Sequence, residues 1–358
     1  MNVDILRTRF AQARAAGKRA RDAAESIGVS EGEAVAAHAG NHEGPLKAVP
    51  LGKSWLEILK ALGECGPVLA LTRNETTVHE KTGVYENVSA AGPVVGLALG
   101  GPIDLRLFFM HWHAGFAVTE AAAQPNVPAS LSLQFYDASG LAVHKVFCRE
   151  ATNRAAFEAL MQRFADASLS PEFKPKAPAP AIQDDEAIDA DGLLEAWGGM
   201  KDTHDFYEIL KKFGVERQQS FRLADGRFAR RASPSVARQL LQEAAFDGAP
   251  IMVFVGSLGC IQIHSGPVTR IEPMEIRGVQ WLNVLDPDFN LHMQEDSIAN
   301  AWVVEKPTSD GIVTSVELFD AKGELMAMFF GERKPGNPER EDWRAIVRKA
   351  APTSAVAA

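Results

Sequence analysis

LSLQFYDASGLAVHKVFCR (131–149) and TSVELFDAKGELMAMFFGER (314–333) are the stretches on which the fold is read. In each, alternating apolar residues flank a D-x-x-G turn, with Asp137 opposite Asp320 and Gly140 opposite Gly323. Period-two alternation marks strands, and a short glycine-bearing turn joins two of them into an antiparallel hairpin. The similarity continues upstream at a spacing near 183 to 186 residues: IDLRLF (103–108) matches FNLHMQ (289–294), and FAVTE (116–120) matches WVVEK (302–306). A preserved order of elements at a fixed spacing indicates internal duplication. Each copy opens with helical sequence and ends with it, FEALMQRFA in the first and WRAIVRKA in the second, with apolar residues three and four apart. Short alternating runs such as IMVFVG, CIQIHSG and WLNVLD lie between. The expected class is α+β, two similar halves each with a large antiparallel sheet and helices at its ends and on one face.

A chain of 358 residues exceeds one ordinary core and suits two units. SPEFKPKAPAPAIQDDEAIDAD, with four prolines and an acidic cluster, reads as the linker. The expected organisation is an N-terminal repeat over 1–169, a linker over 170–191, a C-terminal repeat over 192–350 and a disordered tail over 351–358. With 46% hydrophobic and 23% charged residues the chain has the composition of a globular protein rather than a disordered one. A net charge of -9 argues against nucleic acid, which selects for basic surfaces. An anionic ligand would need a local basic pocket. Cys65, Cys148 and Cys260 form no CxxC pair, so neither a disulfide framework nor a thiolate zinc site is expected. No signal-peptide pattern opens the sequence, and the uncharged run 88–103 is too short to span a bilayer. These features predict a cytoplasmic protein without membrane insertion.

The segment WGGMKDTHDFYEILKKFGVERQQSF (197–221) predicts an amphipathic helix. Phe206, Ile209, Leu210 and Phe213 form one apolar stripe, Asp202 or Thr203 can cap its start, and Gly214 can end it. At ~100° per residue His204 lies about 200° from Phe206, off that stripe and in the first turn. A helix N-terminus disfavours imidazolium, so a neutral ring could offer a lone pair to a metal. The position alone fits a solvated surface histidine as well. His79 with Glu80 makes no HExxH, and His111 with His113 has no third ligand at useful spacing, so structural roles are expected for them. GxGxxG and GxxxxGK[ST] motifs are absent, which removes the usual support for dinucleotide and NTP-cleaving readings; GVSEG (28–32) matches GxSxG, but no apolar strand run leads into it, so no nucleophile elbow of a serine hydrolase is expected.

Around His204, KDTHDFYEILKKFGVERQQSF resembles the HemS-type family of bacterial cytoplasmic heme-binding proteins, also called hemin-degrading factors. IMVFVGSLGCIQIHSGPV, PMEIRGVQWLNVLDPDFNLHM, WVVEKPTSDGIVTSVELFDAKG and FFGERKPGNPE resemble successive family blocks; LTRNETTVHEKTGVYENV and IDLRLFFMHW resemble those of the first half. The likeness runs from about Arg19 to about Arg348. It implies two similar halves with heme in a cleft between them. It implies His204 as the axial ligand of heme iron and Arg106 on the distal side. Arg217, Lys306 and Arg333 fall on the family's basic contacts to the propionates, and Phe108, Phe254 and Phe330 on pocket positions. Without the resemblance the three cations would be taken for surface charges and the phenylalanines equally for core. Phe330 departs from the tyrosine the family often carries there, which removes a hydroxyl contact to a propionate.

The resemblance leaves two functions open. As a carrier the protein would receive heme after import by an ABC transporter, sequester it, and pass it to a heme oxygenase in the service of iron acquisition. As an enzyme it would open the porphyrin itself, a non-classical heme oxygenase with Arg106 on the distal side. A single histidine ligand leaves the other face of the iron open, so both remain. No reductant-binding motif is present, which favours the carrier. A third reading is a small-ligand or interaction module in which His204 is incidental.

Overall fold

The computed structural model describes residues 1–352 apart from Ala123, Pro125, Pro180 and Pro335. Residues 353–358 of the expected disordered tail therefore lie outside the described residues. Ala351, assigned to the same tail, is buried, and its N–H donates to the Val347 carbonyl at 2.9 Å. The chain divides into two compact units, Met1–Arg73 with His79–Pro178 and Gly256–Gln262, and Asn74–Val78 with Ala179–Val255 and Ile263–Ala358.

The N-terminal half of the chain contains α1 (Val3–Ala15), α2 (Ala20–Ser26), α3 (Glu31–Ala36), β1 (Leu46–Pro50), α4 (Trp55–Ala61), β2 (Val68–Arg73), β3 (Thr77–Gly83), β4 (Val88–Ala90), β5 (Val95–Ala98), β6 (Asp104–Phe108), β7 (Ala114–Glu120), β8 (Ser130–Tyr136), β9 (Ala142–Phe147) and α5 (Arg154–Phe164). Strands β1, β7, β8, β9 and β2 pair antiparallel in that order, as do β4, β5 and β6. The C-terminal half repeats the plan with α6 (Ala190–Gly198), α7 (Asp205–Phe213), α8 (Arg217–Leu223), β10 (Ala229–Ala232), α9 (Val236–Asp247), β11 (Ile251–Gly256), β12 (Cys260–Gly266), β13 (Ile271–Ile276), β14 (Val279–Leu285), β15 (Phe289–Gln294), β16 (Asn300–Thr308), β17 (Gly311–Phe319), β18 (Leu325–Gly331) and α10 (Glu341–Ala350). Here β10, β16, β17, β18 and β11 pair antiparallel, and so do β13, β14 and β15. The α+β duplication is thus present strand for strand.

The hairpins that announced the duplication close by one chemistry. Asp137 Oδ1 accepts from the N–H groups of Ser139 and Leu141, and Asp320 Oδ1 from those of Lys322 and Glu324. Gly140 and Gly323 take φ of 79° and 82°, the left-handed region that glycine enters without a Cβ penalty. The ladders slip at matching places, Phe135/Tyr136 and Leu318/Phe319. In α10, Trp343, Ile346, Val347 and Ala350 are buried at helical spacing over a core shared with β11, β17 and β18.

The units are not contiguous in sequence. Each receives from the other half the turn between its second and third strands. In the first unit the Gly259 carbonyl accepts from the Phe108 N–H and the Trp112 indole N–H, both at 2.9 Å. In the second, the Thr76 carbonyl accepts from the Gln294 N–H at 2.9 Å, and the Asn74 amide donates to the carbonyls of Leu325 and Met326. The proline-rich segment is also anchored at both ends. Phe173 packs 6.3 Å from the Tyr136 ring, and Gln219 donates to the Gln183 carbonyl and to Asp185. Phe173 is the only aromatic side chain in that segment, and its partial burial against the first unit's core gives the stretch a foothold.

Candidate functional site

In the second unit α6, α7 and α8 cover β16 and β17 through an aromatic cluster. Trp197 lies 4.6 Å from Phe206 and stacks on Phe228 at 5.6 Å, while Phe221 touches Trp302 and Phe319 near 6 Å. The Trp197 indole donates to the Glu305 carbonyl at 3.0 Å. Burial of Phe206 and Leu210 fixes the rotation of α7, and Gly214 ends it in the left-handed conformation, as the apolar spacing predicted.

The start of α7 differs from expectation. His204 is itself the N-cap residue, with helical φ and ψ and no side-chain capping bond, so it precedes the first turn. Neither Asp202 nor Thr203 caps the helix, because the chain turns earlier. Asp205 Oδ2 accepts from the N–H groups of Lys201 and Asp202, and Asp202 Oδ1 accepts from the His204 N–H at 2.8 Å. The same Asp202 oxygen lies 2.5 Å from His204 Nδ1. The imidazole side chain is 87% exposed, so its Nε2 edge stands toward solvent.

Below the helix start lies a buried ionic group. Glu317 on β17 is fully buried and accepts from Arg217 Nε at 2.7 Å, Arg217 Nη2 at 2.9 Å and Lys306 Nζ at 3.0 Å. Burial opposes ionisation of Glu317, but the charges and hydrogen bonds of Arg217 and Lys306 outweigh it and hold the carboxyl at about 2. Burial likewise pushes the Lys306 ammonium down to about 8, against the pull of Glu317. Lys306 Nζ sits 4.8 Å from the Phe206 ring centroid and 5.8 Å from that of Phe330, and Phe330 lies 5.0 Å from Phe254. Arg333 Nη2 donates to Asp310 at 2.9 Å, and its charge helps to hold the Asp202 carboxyl below the usual range, after the hydrogen bond from His204. Arg333 Nε is buried and has no hydrogen-bond partner among the described residues.

The structure therefore brings Lys306, Arg217, Phe254 and Phe330 into one group and ties Arg333 to the approach to His204. Phe254 and Phe330 are half-buried rather than core. Each of the three cations carries a counterion: Arg217 and Lys306 share Glu317, and Arg333 is paired with Asp310. Buried cations are retained only with a partner, so the carboxylates came with them. Arg106 and Phe108 belong to the first unit. They share one face of β6, half-buried, while Leu105 and Leu107 are buried on the other, and Arg106 is ion-paired with Asp104. His79 is buried in β3, and His113 Nε2 contacts the Glu172 carbonyl at 2.8 Å. Glu317 and Asp310 were not picked from the sequence, and Asp202 only as a possible helix cap. A glutamate on an otherwise apolar strand and a D-x-H at a helix start were the available pointers.

The set suits a porphyrin: an exposed imidazole with one nitrogen anchored, an aromatic pair, and a guanidinium with an unspent donor. The first copy has no histidine at the corresponding position. At the same spacing Lys18 stands opposite His204 and Glu31 opposite Arg217, with Glu31 paired to Lys145 and Arg73.

The model of the haemin-degrading HemS.ChuX domain matches the chain twice, at residues 28–164 and 214–350. The hemin transport protein HmuS of Yersinia pestis is 37% identical over 357 residues, covering 98% of each chain. The structure of holo-PhuS, a heme-binding protein from Pseudomonas aeruginosa, superposes with a TM-score of 0.89 at 45% identity, covering 97% of this chain and 98% of that one. ChuS, described as an E. coli heme oxygenase, superposes at 0.84 with 35% identity, covering 97% and 99%. With two copies of the domain, strand-for-strand duplication and similarity over nearly the whole length of these relatives, the chain belongs to the HemS family.

Proposed function

We propose that this protein is a heme-binding protein of heme uptake and iron acquisition, which sequesters heme and delivers it for degradation. The carrying observation is the exposed His204 ring, with Nδ1 against Asp202 and Nε2 outward, two residues from Phe206, whose ring faces Arg217 and Lys306 over the buried Glu317. Heme supplies an iron that accepts an axial imidazole, two anionic propionates and a broad apolar face. His204 is the axial ligand in this reading. Arg333, with its unspent Nε–H, and Arg217, 27% exposed, contact the propionates; Lys306, 3% exposed, contributes charge from beneath. Phe254 and Phe330 contribute apolar contact, and Phe330 offers no hydroxyl to a propionate. Arg106 as the distal residue and Phe108 as a wall rest on the family resemblance. We further assign the protein to the cytoplasm, consistent with the absence among the described residues of any helix long and apolar enough to cross a membrane. A heme-import ABC transporter as donor and a heme oxygenase as recipient complete the proposal.

A second reading, that the protein itself opens the porphyrin, is favoured by the 35% identity to ChuS over 97% of this chain. One histidine leaves the opposite face of the iron free for such chemistry. Titration with hemin tests the first reading: a Soret shift saturating at one equivalent is expected, lost or displaced in His204→Ala. Arg106→Ala should alter the spectrum of the complex more than its affinity. An unchanged spectrum in His204→Ala would refute heme ligation by this residue. Incubation of the complex with reductant and catalase separates the readings, since a defined bile pigment and carbon monoxide are expected only of the enzyme.

A further inference from the structure

We propose that Asp202 is the positioning residue of the iron ligand, fixing the tautomer of His204 and enriching the electron density its imidazole offers to iron. The inference rests on the heme-binding reading. Asp202 Oδ1 meets residue 204 at two points, the backbone N–H at 2.8 Å and ring Nδ1 at 2.5 Å. A carboxylate can only accept, so the ring proton lies on Nδ1 and the lone pair on Nε2. A carboxylate behind a metal-bound imidazole raises its basicity and holds its plane.

The bracket that carries Asp202 is built from the rest of the unit. Its N–H donates to Asp205 Oδ2 at 2.9 Å, and the N–H of Lys201 donates to the same oxygen at 3.0 Å. The Lys201 carbonyl accepts from the Ser309 N–H at 2.9 Å and from its hydroxyl at 3.2 Å. Asp310, next in the chain, holds Arg333. The turn between β16 and β17 thus sets where the Asp202 oxygen stands, and Asp202 sets the ring. An imidazole on a solvated helix start would otherwise exchange tautomers and rotate, presenting Nε2 only part of the time. An electron-rich ligand favours ferric over ferrous iron, the state expected of a protein that holds heme without reducing it.

Asp202→Asn keeps an oxygen that can accept from the His204 N–H and removes the negative charge behind the ring. Three measurements on the hemin complex of the full chain read the effect: affinity by titration, the ferric/ferrous midpoint potential, and the iron–histidine stretching frequency of the ferrous form by resonance Raman. Affinity should fall about tenfold, the low end for loss of such a partner. A tenfold loss of ferric over ferrous preference corresponds to an upward shift of about 59 mV. The stretching frequency should fall with it. Glu208→Gln, which removes equal charge from an exposed carboxylate in the first turn of α7 outside that bracket, should leave potential and frequency unmoved. Asp202→Ser provides a second reading with a hydroxyl in place of the carboxylate and is expected to shift both in the same direction. A potential and frequency identical to wild type in both Asp202 variants would overturn the proposal while leaving heme binding intact. A Soret band indifferent to His204→Ala would instead overturn the reading beneath it.

Discussion

Replacing Glu317 by Gln removes the one negative charge between two cations and leaves Lys306 buried without a counterion. The carboxylate accepts hydrogen bonds from Arg217 Nε and Nη2, Lys306 Nζ and Ser315 Oγ, at 2.7 to 3.0 Å. Arg217 is 27% exposed and can turn toward water, whereas Lys306 is 3% exposed and cannot. Breaking a buried pair by removing one partner costs about 3–5 kcal/mol. For a unit of this size that lowers Tm by roughly 6–20 °C, taking about 2–4 °C per kcal/mol. The defect should depend on pH. Lys306 already titrates at about 8 in the folded protein, below its ordinary 10.5, and without Glu317 it shifts lower still. The folded variant then binds fewer protons than its unfolded chain over a wider window, and its stability rises with pH across that window. The gap to wild type should therefore narrow between about pH 6 and about pH 9. Replacing Lys306 and Glu317 together by Met should recover most of the loss, because two apolar side chains leave no buried charge. Circular dichroism during thermal and urea unfolding at the two pH values gives the comparison. A Glu317→Gln protein within about 1 kcal/mol of wild type near pH 6, or a double variant as unstable as the single one, would refute the assignment of Lys306 as a charge dependent on Glu317.

Elsewhere, His144 is fully buried between the Tyr85 hydroxyl at 2.6 Å and the Thr72 hydroxyl at 2.8 Å, and burial pushes its imidazole down to about 3. The unfolded chain takes up this proton below about pH 6.5 and the folded one only near 3, so the associated stability is complete above 6.5 and is lost as pH falls toward 3. His144→Gln should flatten the stability profile between about pH 6.5 and 5 by up to about 1.4 kcal/mol per pH unit. Equal slopes in urea unfolding would contradict it. The two turn glycines should separate the copies. Both have positive φ, but a Cβ on Gly323 meets nothing within 4 Å, whereas one on Gly140 would lie 2.0 Å from Ser30 Oγ. Gly323→Ala is expected to cost about 1 kcal/mol and Gly140→Ala about 1–3 kcal/mol more. Equal unfolding midpoints for the two variants would contradict that difference.

Local patterns made much of the fold legible. Asp137 and Gly140, repeated at Asp320 and Gly323, defined two equivalent hairpins because turn chemistry depends on neighbouring residues alone. The stripe on Phe206 and Leu210 and the stop at Gly214 followed from helical spacing, and His204 stood out as a polar ring off that stripe. The resemblance then supplied roles for Arg217, Lys306 and Arg333 that no spacing could give. What the tertiary structure decided are pairings between residues far apart in the chain. The turns at 74–78 and 256–262 change units because their backbone groups find partners on distant strands. Glu317 joins Arg217, 100 residues away, and cancels charge that the linear sequence left as an unpaired cation. The Asp202 oxygen meets its ring only because the chain turns before α7 rather than capping it. Periodicity is a property of a segment and can be read along it. Desolvation and charge pairing are properties of an enclosed space, and that space exists only once the chain has folded.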